Sequence, residues 1–301
     1  AAVITALLLG NKPVLHRWVN ALEGHELQAG LRLLLISVVL LPILPNKGYG
    51  PWQAFNPYTT WWMVVMIALI SFVGYFAIKI GGTRKGTVFT GLFGGLASST
   101  AVTLSFSRIA HRHKGMTPVL ATGILLACGT MLPRMLLIAS VINIDLFVPL
   151  LIPTAVMAFL IYLPALFYMR SKPYTQTDAV SPLKNPLELK AAISFGLLLV
   201  LVLLLGKALQ HWFGEVGVLV LAAASGLADV DAITLSLANM SQADLLIRVT
   251  VMGIIIAAIT NNLVKGGMAT GIGGAAIGLR VGLPLLVSAL GGLLAVWLWV
   301  W

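Results

Sequence analysis

The runs Trp61–Ile78, Phe147–Phe167, Ala191–Leu205 and Leu279–Trp301 match or approach the ~20 apolar residues that carry a helix across a bilayer. Nothing constrains a chain more, because hydrocarbon offers no partner to backbone N–H and C=O groups. Only helices and closed barrels are stable there. Barrel strands alternate apolar and polar residues over ~10-residue segments, and these runs do not alternate. A mean hydropathy of +1.00 with 9% charged residues agrees with an all-α polytopic membrane protein, whose first partner is the lipid bilayer. The net charge of +10 sits in short loops between the runs, where it orients a membrane protein; nucleic acid is not an expected partner. Cys128, the one cysteine, lies in an apolar run and reads as a packing residue. The opening stretch Ala1–Gly10 has no charged leader or cleavage site and reads as the tail of a preceding span.

The chain also repeats itself. Gly91–Ser107 (GLFGGLASSTAVTLSFS) returns as Ala222–Ala238 (AAASGLADVDAITLSLA). Gly95, Leu96 and Ala97 overlie Gly226, Leu227 and Ala228, while Thr103 and Ser105 overlie Thr234 and Ser236, an offset of 131 residues. The same offset carries Arg134 onto Lys265 and Pro153 onto Pro284. Inside the motif, Ser98 and Thr100 of the first copy become Asp229 and Asp231 in the second.

The expected order is a tail, interfacial connection and one span (Leu27–Leu44) in 1–54, a first repeat in 55–169, a polar linker in 170–184 and a second repeat in 185–301. The first repeat reads as span Trp61–Ile78, basic loop Lys79–Gly86, the motif, basic loop Arg108–Lys114, and spans Thr117–Val141 and Phe147–Met169. The second reads as span Leu187–Leu205, loop Gly206–Glu215, the motif, loop Asn239–Asp244, span Leu245–Val264, a glycine-rich Gly266–Gly278 and a last span. If each motif crossed the membrane, the loop Lys and Arg residues would divide evenly between the two faces. If each motif enters and returns, all of them but Lys47 and Lys207 share one face. The tendency of cytoplasmic loops to hold the positive charge selects the second arrangement. The expected fold is therefore two inverted-topology repeats, each with about three spanning helices plus a re-entrant or broken helical hairpin. An odd number of crossings turns the second repeat upside down.

Asp229 and Asp231 carry most of the functional weight. A carboxylate at mid-bilayer costs ~2.5–3.5 kcal/mol on insertion scales, so it needs a partner or a task. As hard oxygen donors they suit a metal cation or a coupled proton pair. The structural alternative is that either one caps the helix starting near Ala232. At i, i+2 the two do not share a helix face, so one caps while the other faces a cavity. Arg134 and Lys265 are the candidate charge partners, Lys265 having the plainer alternative of a snorkelling helix end. Ser98, Ser99, Thr100 and Thr103 would line an ion-binding or translocation site from one side. Asp229, Asp231 and Thr234 would line it from the other, with Asn261 and Asn262 completing the polar set. The metal ligands expected are Asp229 and Asp231.

Four strings together resemble one family: PILPNKGYGPWQAFNPYT (Pro42–Thr59), GLFGGLASSTAVTLSFSR (Gly91–Arg108), GLADVDAITLSLA (Gly226–Ala238) and NNLVKGG (Asn261–Gly267). They resemble the C-terminal membrane domain of MgtC/SapB-type proteins, catalogued as domain of unknown function 4010. The resemblance implies a bacterial inner-membrane protein with a loose link to magnesium, and it implies no substrate.

These readings converge on a transport protein, a secondary transporter or channel for a small inorganic cation or proton-coupled ion. The alternative is a regulatory or binding membrane module with no flux of its own. An enzyme and a cofactor are not expected: the chain has no HExxH, no CxxC and no nucleophile placed beside a base. Small-residue faces such as Gly291-Gly292 would permit helix pairing and a homodimer.

Overall fold

The computed structural model describes residues 23–169, 189–243 and 245–299, without the side chains of 74, 77–86 and 189–192. The expectations for Ala1–Gly10 and for the linker lie outside these residues. Among the described residues the chain is helical, and the only strand-like pairing is one bridge between Tyr49 and Phe55. Seven segments of the described residues are long and apolar enough to cross a membrane.

Helix α1 (Gly24–Ile43) widens into a π-turn at Leu35–Leu40. The Ile36 carbonyl accepts a hydrogen bond from the Trp61 indole at 2.8 Å, which fastens α1 to the next element. Helix α2 (Pro57–Arg112) starts on Pro57 because Asn56 caps it, accepting the Thr59 N–H at 3.2 Å. Proline suits that first position, where its missing N–H has no helical partner to lose. Helix α3 (Thr117–Ile142), α4 (Phe147–Met169), α5 (Leu189–Ala228), α6 (Val230–Met240), α7 (Ile247–Gly273) and α8 (Ala275–Trp299) follow. The basic loop expected at Lys79–Gly86 is thus helical, as is Gly206–Glu215 apart from a break at Gly214. In the glycine-rich segment, α7 runs to Gly273 and the chain breaks only at Gly274, with φ at 91°.

Helix α2 is not straight. Ser71 donates to the Ala97 carbonyl at 3.4 Å, although a straight helix would hold them ~39 Å apart. A second reversal follows inside the motif. A methyl group placed on Gly123 would lie 3.1 Å from Thr87 and directly against the Phe106 ring. A straight helix would separate those two side chains by ~28 Å. Length and hydropathy alone make Thr87–Arg112 a candidate crossing, but the contacts make it a doubled-back pair of half-helices.

Helix α5 behaves the same way. It reverses at Gly214, whose φ of 61° and ψ of −145° favour a residue without Cβ. The chain reverses again where Asp229 separates α5 from α6. A Cβ on Gly206 would meet both Met240 (2.9 Å) and Leu221 (3.6 Å), and one on Gly253 both Leu237 (2.7 Å) and Ala222 (3.6 Å). These contacts recur at nearly the offset of the sequence repeat. Gly91 packs on Gly123 where Ala222 packs near Gly253, and Gly95 packs on Ala127 where Gly226 packs on Ala257.

The open ends of the two hairpins lie at opposite ends of α3. Its N-terminus follows directly on Arg112, at the mouth of the first hairpin. At its C-terminus, Asn143 donates to Ser241 Oγ at 2.9 Å and the Ile142 carbonyl accepts from Gln242, at the mouth of the second. With 26 residues, α3 spans ~39 Å between them. Helix α7 runs the other way: it starts just after Met240 and ends where a Cβ on Gly273 would lie 3.1 Å from the Ser107 carbonyl oxygen.

Close backbone approach is what these glycines permit. A Cβ on Gly95 would sit 2.8 Å from the Ala127 Cα, and one on Gly226 2.9 Å from the Ala257 Cα. Rigid backbone cannot yield as a side chain would, so Gly95→Ala and Gly226→Ala should each cost about 1–3 kcal/mol. Gly282→Ala, which meets open space, should not destabilise, and unfolding in detergent compares the three. The Gly291-Gly292 face, whose small residues would permit helix pairing, meets α4 of the same chain: Gly291 packs on Leu160, and a Cβ on Gly292 would lie 2.5 Å from the Met157 sulfur.

Candidate polar site between the hairpin tips

The two reversals bring their polar residues together in the middle of the fold. Asp229 has extended backbone (φ −154°, ψ 129°), and its Oδ1 accepts the Asp231 N–H at 3.0 Å. It caps α6 and is half-buried. Capping turns Asp231, two residues later, to a different side, where it is 6% exposed. In the first hairpin the Ser98 hydroxyl accepts the Ala101 N–H at 3.2 Å, the equivalent cap without the charge.

Arg134 comes up from α3 and joins the two tips. One guanidinium nitrogen donates to Asp231 Oδ2; the other donates to the Leu96 carbonyl and, at 3.5 Å, to that of Gly95. Those carbonyls lie where the first half-helix of the hairpin gives way to the second. The planar fork of arginine suits this task, since it engages several acceptors at fixed angles. In the second hairpin the equivalent carbonyl, Gly226, accepts from the Asn261 amide at 3.0 Å.

Lys265 reaches the opposite way. From α7 its ammonium donates to Ser99 Oγ at 2.7 Å and lies 3.0 Å from the Met131 sulfur, with the residue 1% exposed. The snorkelling alternative for Lys265 is therefore corrected. The structure also corrects its pairing: Arg134 meets an aspartate, while Lys265 meets a hydroxyl and a thioether. Each repeat thus sends its basic residue to the other repeat's hairpin.

Several buried groups at this centre have no partner. Asp231 Oδ1, Thr234 Oγ1, Arg134 Nε and both amide atoms of Asn262 are shielded and unbonded. Thr234 lies one turn after Asp231 on α6, and Asn262 one turn before Lys265 on α7; both are fully buried. Such atoms cost about 1–3 kcal/mol each when left unsatisfied, so each calls for a partner such as water or a ligand. Thr103 is buried and donates to the Ser99 carbonyl at 2.9 Å, which holds that turn.

Of the expected residues, Ser99, Asp231, Asn261, Arg134 and Lys265 are brought into the knot by direct bonds. Thr100 is exposed and stands apart from the buried set. Of the expected pair of metal ligands, Asp229 engages Oδ1 as a cap, while Asp231 keeps Oδ1 buried and without a hydrogen bond. Among the described residues, no three His, Cys, Asp or Glu side chains gather as a metal site. Met131 and the Gly95 and Leu96 carbonyls were not foreseen. Met131 stands at the repeat offset from Asn262, the signal that would have found it.

Residues 65–273 match the family described as Domain of unknown function (DUF4010). An uncharacterized protein of Aquifex aeolicus (strain VF5) is 33% identical over 192 residues, covering 62% of this chain and 83% of the relative. No solved structure matches.

Proposed function

The chain belongs to the DUF4010 family of domains of unknown function, and we propose that it is an ion-transport protein of a bacterial inner membrane. The single observation behind this reading is the Arg134–Asp231 pair, which bridges two hairpin tips and leaves Asp231 Oδ1 buried and unpartnered. A small inorganic cation, or a proton exchanged with one, competes with the guanidinium for the same carboxylate. Occupancy then loosens the bond between the tips, which gives an ion unequal affinity for two arrangements of the hairpins. Hard oxygens from Asp231, Thr234 and Asn262 favour such an ion over zinc or copper.

The architecture of this proposal is a pair of inverted repeats. Hairpin mouths at opposite ends of α3 and α7 support it, as does the concentration of Arg108, Arg112 and Lys114 at only one of the mouths. Non-helical backbone at membrane depth is tolerated where it is buried in protein or lines a water-filled cavity, as at Asp229. Magnesium enters through the MgtC/SapB resemblance alone and is the first ion to test.

Flux through liposomes holding the purified chain is the decisive measurement. Asp231→Asn keeps the shape but weakens Arg134's hold and the site's charge, so flux should fall to the level of empty vesicles. Flux of the parent chain indistinguishable from empty vesicles would instead favour the regulatory module.

A further inference from the structure

A second site lies at the mouth of the first hairpin, far from the central knot. A cavity of about 590 Å³ opens there between the end of α2, the start of α3 and the start of α8. Its wall carries His111, Lys114 and Arg280 and no acidic side chain. Among the described residues none of the three has a carboxylate partner; the Arg280 guanidinium donates only to the Ala276 carbonyl, at 2.9 Å. An arginine has five N–H donors, so most of its fork remains available. The chain break at Gly274 sets Ala275 and Ala276, the first residues of α8, against the same cavity. The positive end of that helix adds to the field of the three basic side chains.

We propose that this cavity binds a phosphate group carrying net negative charge. Two sources share that chemistry, an anionic phospholipid headgroup and free phosphate. The surroundings favour the lipid. Leu279 and Leu283 continue down α8 from the cavity and are 72% and 62% exposed, a surface along which acyl chains can lie. The basic residues stand at the membrane face that positive charge marks as cytoplasmic, where anionic headgroups attract them. The site is independent of the central knot, so its failure would leave the transport proposal untouched.

The test uses the full chain in detergent with short-chain fluorescent phosphatidylglycerol and phosphatidylcholine. Phosphatidylglycerol should bind more tightly, and either Lys114→Glu or Arg280→Gln should weaken it about tenfold. Lys47→Gln, on another loop, should change nothing. Because Lys114 is exposed, its variant answers the question even if the Arg280 variant folds poorly. Displacement of the lipid by millimolar inorganic phosphate assigns the site to the phosphate group itself; no displacement assigns it to the lipid headgroup. Equal binding of the two lipids, or a Lys114→Glu variant that binds phosphatidylglycerol as the parent does, overturns the proposal.

Discussion

Arg134→Met should destabilise the folded chain by about 3–5 kcal/mol, because it strands the Asp231 carboxylate in a buried setting. It also removes the guanidinium donor to the Leu96 carbonyl. Adding Asp231→Leu to the same chain should restore much of the loss, since replacing both members of a buried pair by apolar groups is often neutral. Unfolding of the two variants in matched detergent measures this. If Arg134→Met were as stable as the parent, the guanidinium would be a bystander and the link between the hairpin tips would lose its basis.

Lys265→Met should separate stability from function. The residue is 1% exposed, and the hydrogen-bond partners of its ammonium are a hydroxyl and a thioether. Taking a charge out of water costs several kcal/mol, and neutral partners return little of it. Methionine has similar length and suits the space beside Met131, so the variant should be as stable as the parent, or more stable by about 1–4 kcal/mol. Under the transport proposal its flux should nevertheless fall to background, because the site loses a charge on the far side from Asp231. A stable variant with full flux would leave Lys265 without a task; an unstable one would show its bond to Ser99 to be structural.

The two predictions depend on placements that were unequally visible in the chain. The cost of isolated charges in hydrocarbon makes Arg134 and Lys265 both expected partners of the aspartates; the structure joins Arg134 to Asp231 and Lys265 to Ser99. That cost applies to any fold, so residue type and span position suffice to state it. The capping role of Asp229 was one of two outcomes left open by the i, i+2 spacing. Backbone geometry at the tip, which no spacing encodes, chose between them. Lys265 reads from the sequence as a helix end because the expected span stops at Val264, before the glycine-rich Gly266–Gly278. In fact α7 continues to Gly273, and packing against the first hairpin buries the lysine.

The sequence by itself determined the class of protein, the duplication and the likeness between the two motifs. Hydrophobic run length and repeated residue identity are properties of order along a chain, and they survive without knowledge of contacts. Tertiary structure decided where the chain doubles back, which carbonyls Arg134 satisfies and which oxygens of Asp231, Thr234 and Asn262 remain unbonded. Those outcomes depend on which backbones approach within van der Waals contact. Gly95 against Ala127 and Gly226 against Ala257 set that approach, across a distance in sequence that local pattern does not reach.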